Sequence, residues 1–116
     1  MPLLAGSATK VLIAYMEKKE LTPIVSSIAR ATKQTQAQVL SQIAAVREKG
    51  FAVSHGERLL GVSAISAPIK DAEDQVHYCL SIGGPSVRIQ LREKELVKLA
   101  VNAAAEISLQ FGAQLP

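Results

Sequence analysis

The sequence predicts an α/β domain of the α+β kind, an antiparallel sheet flanked by helices, and three observations carry that prediction. Residues 61–70 and 75–83 are two strand-like runs separated by the polar tetrad Asp71-Ala72-Glu73-Asp74, the pattern of a β-hairpin. Four further stretches repeat their apolar residues at helical spacing. The chain has 116 residues, 48% of them hydrophobic, which fits one domain over residues 1–116 built around one core.

In chain order, the first helix is expected over about 7–18, where Val11, Leu12, Ala14 and Tyr15 share a face. A second, shorter helix is expected over about 21–31, with Thr22-Pro23 marking its start. The third is the best signalled. Thr35-x-x-Gln38 is a capping box, Val39, Leu40, Ile43, Ala44 and Val46 form its apolar stripe, and Gly50 stops it after Arg47 and Lys49. The hairpin follows and ends at Gly83-Gly84-Pro85, which reads as a turn. The last helix is expected over about 92–111, with Leu96, Leu99, Ala100, Ala103 and Ile107 on one face and Gly112 ending it. Gln114-Leu115-Pro116 reads as a loose terminus.

Alternation along the second hairpin strand divides it into unlike faces. Val76, Tyr78, Leu80 and Ile82 must meet a core, and the alanine-rich last helix is their natural cover. His77, Cys79, Ser81 and Gly83 form the other face, matched on the first strand by Val62, Ala64 and Ser66. Small residues on two facing strands leave space, and space walled by a few hydroxyls is what a small-ligand site requires.

Composition narrows the function classes. Thirteen Lys and Arg against 10 Asp and Glu give a net charge of +3, scattered rather than gathered into a stripe, and aromatic residues make up only 3%. Neither feature marks a nucleic-acid surface. The single Cys79 forms no internal disulfide, which fits a reducing cytoplasm, and no apolar run approaches a membrane span. Cys79 and His77 share a strand face, but no third group in the sequence orients the imidazole for nucleophilic work. Two histidines far apart in sequence do not make a metal site, and Gly83-Gly84-Pro85-Ser86 lacks the Gly-Lys-Ser/Thr ending of a phosphate loop.

The hairpin also carries a family pattern: Gly61-Val62, Ala64-Ile65, Ala67-Pro68, Asp71, Leu80-Ser81-Ile82, Gly84-Pro85 and Arg88. Pro2-Leu3, Ala8-Thr9-Lys10, Val46-Arg47, Gly50-Phe51-Ala52 and Glu57 continue it in register. This pattern resembles the C-terminal effector-binding domain of IclR-type transcriptional regulators. The resemblance implies a profilin-like or GAF-like sheet, a small organic acid or aromatic effector, no cofactor and no catalysis. It also implies self-association as dimer or tetramer, and DNA binding only through a winged helix-turn-helix domain absent from this chain, which by the same resemblance is a partial effector domain lacking the linker helix and the first strands that family members carry before the Pro-Leu step. By the same resemblance, Ser7 and Ala8 offer backbone N–H groups to an anionic part of the ligand, as a helix N-terminus is suited to do.

Ser54, Ala64, Ser81 and Gly83 fall where acid-sensing relatives carry Asp, Cys, Ser and Ser. Only Ser81 is retained. The family's glycines at Ser7 and Thr9 and its histidine at Leu4 are also replaced, so the resemblance points away from a glyoxylate- or pyruvate-like effector and toward a larger or less acidic one. The alternative is an oligomerisation module whose pocket is incomplete and binds nothing; a small enzyme using Cys79 is a weaker third.

Overall fold

A computed structural model describes residues 6–55 and 61–113; Pro2-Leu3, Leu4, Glu57 and Gln114-Leu115-Pro116 lie outside them. The described elements are α1 (Ser7–Ala14), α2 (Lys18–Thr32), α3 (Gln36–Lys49), β1 (Ala52–His55), β2 (Val62–Lys70), β3 (Val76–Pro85), α4 (Ser86–Leu91) and α5 (Glu93–Gln110). The three strands form one antiparallel sheet in the order β1-β2-β3, so β2 is the middle strand.

The expected hairpin is present. Asp71 closes its turn by accepting the N–H groups of Glu73 and Gln75 on Oδ1, at 3.0 and 2.9 Å, a side chain standing in for a backbone turn. Asp74 then takes the left-handed conformation at φ 61°. Between Ile69 and Lys70 the register shifts, so that Ile69 faces Tyr78 whereas Lys70 faces Val76. This bulge breaks the alternation expected of Val76. Ser108 of α5 accepts the Lys70 N–H at the bulge (2.9 Å) and donates to the Ala104 carbonyl (2.7 Å), tying helix to hairpin.

Pro68 in a middle strand would ordinarily break the ladder. Here β1 pairs with β2 only from Ser63 to Ser66, so beyond that point β2 has, among the described residues, a strand neighbour on one side alone and a missing N–H is tolerated.

The two sheet faces hold separate cores. On one, Ile65, Ala67 and Ile69 pack with Ile89, Ala100 and Ala104, flanked by Val53, Leu80, Ile82, Leu96 and Ile107; α5 is the expected cover. On the other lies α1, with α2 and α3 outside it, around Val11, Ala14, Val25, Ile28, Val39, Ile43, Val46 and Ala52. The capping box on α3 is formed as the sequence requires. Gln38 N–H donates to Thr35 Oγ1 at 3.1 Å, Thr35 N–H donates to Gln38 Oε1 at 2.9 Å, and Gly50 ends the helix at φ 83°.

Several expectations need correction. α1 stops at Ala14 rather than near 18, because the Met16 N–H turns back to the Ile13 carbonyl where no Gly or Pro marks a break. α2 begins at Lys18, so Pro23 sits inside it; the carbonyl its ring leaves without a donor belongs to Lys19, an exposed residue, where the lost helical bond costs least. Gly83-Gly84-Pro85 finishes β3 instead of turning, and the short α4 follows at once. Tyr78 is 63% exposed, resting edge-on against Phe111 rather than in the core, and Leu40 and Leu99 point outward too.

Ile65 is fully buried in the middle strand. Ile65→Ala should lower stability by about 2–5 kcal/mol, whereas Thr35→Ala at the cap should cost about 1 kcal/mol. Urea denaturation with the slope held common checks both values.

Candidate functional site

The antiparallel register collects the sequence-predicted residues into two adjacent rows across one sheet face. Ser54, Ala64 and Gly83 lie side by side on the three strands, and Ala52, Ser66 and Ser81 form the next row. Rows two residues apart are separated by about 6.6 Å, within reach of one small organic molecule. Ser7 belongs to neither strand but reaches the second row: its Oγ lies 2.7 Å from Ser66 Oγ, which in turn lies 2.7 Å from Ser81 Oγ. The line runs from the interior outward. Ser7 and Ser66 are buried at 2% and 0% exposure, whereas Ser81 is exposed and has Cys79 Sγ beside it at 3.9 Å.

The start of α1 explains how the helix comes so close. Gly6 takes φ 101°, a conformation open to glycine, and the first helical bond runs from Lys10 N–H to the Gly6 carbonyl. The Ser7 and Ala8 N–H groups therefore belong to the first turn, whose donors have no acceptor within the helix. Ser7 is buried and Ala8 half-buried.

At the other row there is room. A methyl group added at Gly83 would meet only the Ser63 carbonyl oxygen, at 3.8 Å, while Ala64 is half-buried and Ser54 buried. The structure thus brings together five of the six predicted positions on or directly above one surface, with Ala8 one residue further along α1. Sequence reasoning passed over the hub. Ser66 was legible only as a small residue sharing a face; its role as the shared partner of Ser7 and Ser81 needs the register and the placement of α1.

A second polar line crosses the opposite face and was not foreseen. Ser86 Oγ lies 2.7 Å from Ser63 Oγ, Ser63 Oγ lies 3.2 Å from His55 Nδ1, and His55 Nε2 lies 3.3 Å from Glu93 Oε1. It links β1, β2, α4 and α5. His77, by contrast, sits 3.9 Å from Asp71 Oδ2 at the exposed turn.

A cleft of about 370 Å³ opens near the end of α1, with Tyr15, Lys18, Arg47, Lys70 and Asp74 in its lining. Lys70 Nζ and the Arg47 guanidinium approach the Tyr15 ring to 5.3 and 5.8 Å from its centre.

Comparison with known proteins settles what kind of domain this is. The family model "Bacterial transcriptional regulator IclR C-terminal" matches residues 1–109. The chain belongs to this family.

Among curated relatives, the HTH-type transcriptional regulator KdgR of Dickeya chrysanthemi is 32% identical over 117 residues, covering 96% of this chain and 38% of its own length. The HTH-type transcriptional repressor AllR of Salmonella typhimurium (strain LT2) is 30% identical over 125 residues, 100% of this chain and 45% of the repressor. The chain thus spans under half the length of these relatives. Of solved structures, the C-terminal domain of Escherichia coli KdgR superposes with a TM-score of 0.80 at 30% identity, covering 96% of this chain and 71% of that one. An IclR-family regulator from Rhodococcus sp. gives 0.81 at 31% identity, covering 96% and 44%. The fold expected from the hairpin, an α+β sheet flanked by helices, is therefore that of the IclR C-terminal domains.

Ser66→Ala would strip Ser7 of its buried partner, so it should cost about 1–3 kcal/mol, whereas Ser81→Ala at the exposed end should cost about 0.5–1.5 kcal/mol. Chemical denaturation of the two variants in parallel measures the difference; equal costs would mean the buried bond is no more important than the exposed one.

Burial pushes the Tyr15 hydroxyl above the ordinary phenol range, with Asp74 adding to the rise and Arg47 opposing it. A folded-state value above the unfolded one makes its contribution to stability complete below pH about 10 and lost as pH rises through the folded value. Phenolate absorbance followed in a Tyr78→Phe background should show Tyr15 ionising above pH about 10, together with a falling urea midpoint.

Proposed function

We propose that this chain is the small-molecule-sensing and self-associating part of an IclR-type transcriptional regulator, a single domain over residues 1–116 that works in the cytoplasm and performs no chemistry on its ligand. The observation that carries the reading is the convergence of the α1 N-terminus on two rows of small side chains. Ser7 touches Ser66, Ser81 is at the open end of that row, and Gly83 and Ala64 leave room beside it. In this reading Ser81 donates to or accepts from the effector, the Ser7 and Ala8 N–H groups face its anionic or carbonyl oxygen, and Ser54, Ala64 and Gly83 form the floor. Alanine and glycine on that floor suit an organic acid or aromatic compound bulkier than a two- or three-carbon acid.

Regulation then follows from population shift. A ligand that binds one arrangement of the subunits better than another changes their equilibrium by its differential affinity, and so changes the spacing of DNA-binding domains carried elsewhere in the regulator. DNA contact belongs to those domains, because none of the five helices described here is paired as a helix-turn-helix with a basic recognition face.

One observation favours the alternative, an oligomerisation module that binds nothing. The Ser7, Ser66 and Ser81 hydroxyls already satisfy one another, and among the described residues no buried side-chain polar atom lacks a partner. A ligand must therefore compete with hydroxyl–hydroxyl bonds instead of filling a vacancy.

A thermal-shift screen of small organic acids and aromatic compounds separates the two. A ligand present at about 100 times its dissociation constant should stabilise the domain by roughly 2.7 kcal/mol, a rise of several degrees in Tm. Ser81→Phe should abolish that rise. A stabiliser whose effect survives Ser81→Phe would place the site elsewhere, and a screen with no stabiliser would favour the module.

A further inference from the structure

The cleft at the far end of α1 is separate from the candidate effector site. Ser7 opens α1 and Tyr15 caps it, and the helical rise over that span puts the two ends about 12 Å apart. Three segments wall the cleft: the junction of α1 and α2 through Tyr15 and Glu17, the end of α3 through Arg47, and the hairpin turn through Lys70, Glu73 and Asp74. Its volume of about 370 Å³ lies at the small end of the range for ligand sites.

Charges of both signs share this space with little pairing between them. Lys70 Nζ reaches Asp74 Oδ1 at 3.7 Å, but among the described residues Arg47, Glu17, Glu73 and the neighbouring Lys18 make no ion pair. Arg47 and Lys70 instead both approach the Tyr15 ring, at 5.8 and 5.3 Å from its centre, so two cations are gathered at one wall. Burial holds the Tyr15 hydroxyl protonated beyond the ordinary phenol range, which keeps it a hydrogen-bond donor beside them. A small dianion would satisfy the cations yet meet the carboxylates of Glu17, Glu73 and Asp74 in the same space. A molecule carrying one charge of each sign answers both.

We infer that this cleft binds a small ammonium–carboxylate zwitterion, in chemical class a free amino acid, with its carboxylate between Arg47 and Lys70 and its ammonium toward Glu17 and Glu73. The guanidinium fork takes a carboxylate through two parallel N–H donors, and Lys70 and Tyr15 add donors next to it. Arg47, Glu17 and Glu73 are exposed and Lys70 and Tyr15 half-buried, so each ion pair contributes little and the complex is weak. Selectivity comes from the need for two charges at once, since a ligand with one of them forfeits half of the contacts.

This site does not rest on the Ser81 row, and the experiment keeps the two apart. Glycine, β-alanine and 4-aminobutyrate, with acetate and methylammonium as single-charge probes, are titrated at constant ionic strength into the nitrogen-15-labelled chain while amide shifts are followed. At least one zwitterion should saturate with a Kd in roughly the millimolar range and move the amides of Met16, Lys70 and Glu73, whereas acetate and methylammonium should bind about tenfold more weakly or worse. Arg47→Gln and Glu73→Gln should each weaken the zwitterion several-fold and Arg47→Lys should restore part of the loss, while Glu48→Gln, exposed on α3 outside the cleft lining, should change nothing; the amide spectrum itself reports that each variant folds. Acetate binding as tightly as every zwitterion would make the cleft a plain anion site and overturn the inference. No saturable shift from any probe, or a zwitterion indifferent to both Arg47→Gln and Glu73→Gln, would overturn it as well, and so would shifts confined to Ser7, Ser81 and Gly83. Failure in the cleft leaves the outcome of the thermal-shift test with Ser81→Phe unaffected.

Discussion

A hydroxyl buried in the middle of the middle strand is the constraint around which this domain is arranged. Ser66 has β1 on one side, β3 on the other and α1 above it, and its side chain is out of reach of water. An unpartnered hydroxyl in that position would cost on the order of 1–3 kcal/mol, a large share of a small domain's stability. Two partners meet it. Ser81 comes from the hairpin register, which local turn chemistry at Asp71 sets; Ser7 comes from α1, which must therefore lie with its first turn directly over the strand. Fixing the helix start fixes the layer above it, since α1 fills the space between the sheet and α3 and carries Val11 and Ala14 into the core they share.

The two faces of the sheet solve different problems with the same strands. Toward α5, β2 offers Ile65, Ala67 and Ile69, and the alanines of the helix allow close approach, so that face is an apolar core with the Ser63–His55 line at one end and the Ser108 bond to Lys70 at the other. Toward α1, the same strand offers Ala64 and Ser66, with glycine and serine opposite. Period-two alternation makes this division automatic: a polar, spacious surface and an apolar, filled one are encoded in a single nine-residue strand.

That alternation is why so much was legible in the sequence. The hairpin, its turn, the capping box of α3, the cover by α5 and the membership of Ala64, Ser81 and Gly83 in one surface all depend on contacts close in sequence or on a repeat of fixed period, whereas Ser54 joins them through the family resemblance alone. What escaped depends on neither. β1 is four residues long, too short to show alternation, and is a strand because β2 supplies its partner. α4 is six residues placed directly after a strand ending in proline, where local pattern reads only a turn. Tyr78 follows the core-facing alternation, yet the described sheet ends at β3 and leaves its ring outside, against Phe111. Ser66 shows how the site itself was half-read: its face was predictable, its two hydrogen bonds were not, because one of them spans 59 positions in the sequence.

Ser81 and Gly83 face the candidate ligand site, and Ser81 holds the outer end of the hydroxyl line, so a molecule that draws the Ser81 hydroxyl away from Ser66 acts directly on β3. Linkage makes any effect on the proposed self-association reciprocal: if ligand changes the association constant by some factor, association changes ligand affinity by the same factor. The hydroxyl line gives the coupling a physical carrier, because Ser66 can satisfy Ser7 with or without Ser81, and only the bond at the exposed end is exchanged for one to ligand. Such an exchange trades one hydrogen bond for another and leaves little net enthalpy. The affinity of an effector must then come mainly from apolar contact with Ala64, Gly83 and their neighbours, which is why a floor of small residues selects for a ligand bulky enough to cover it.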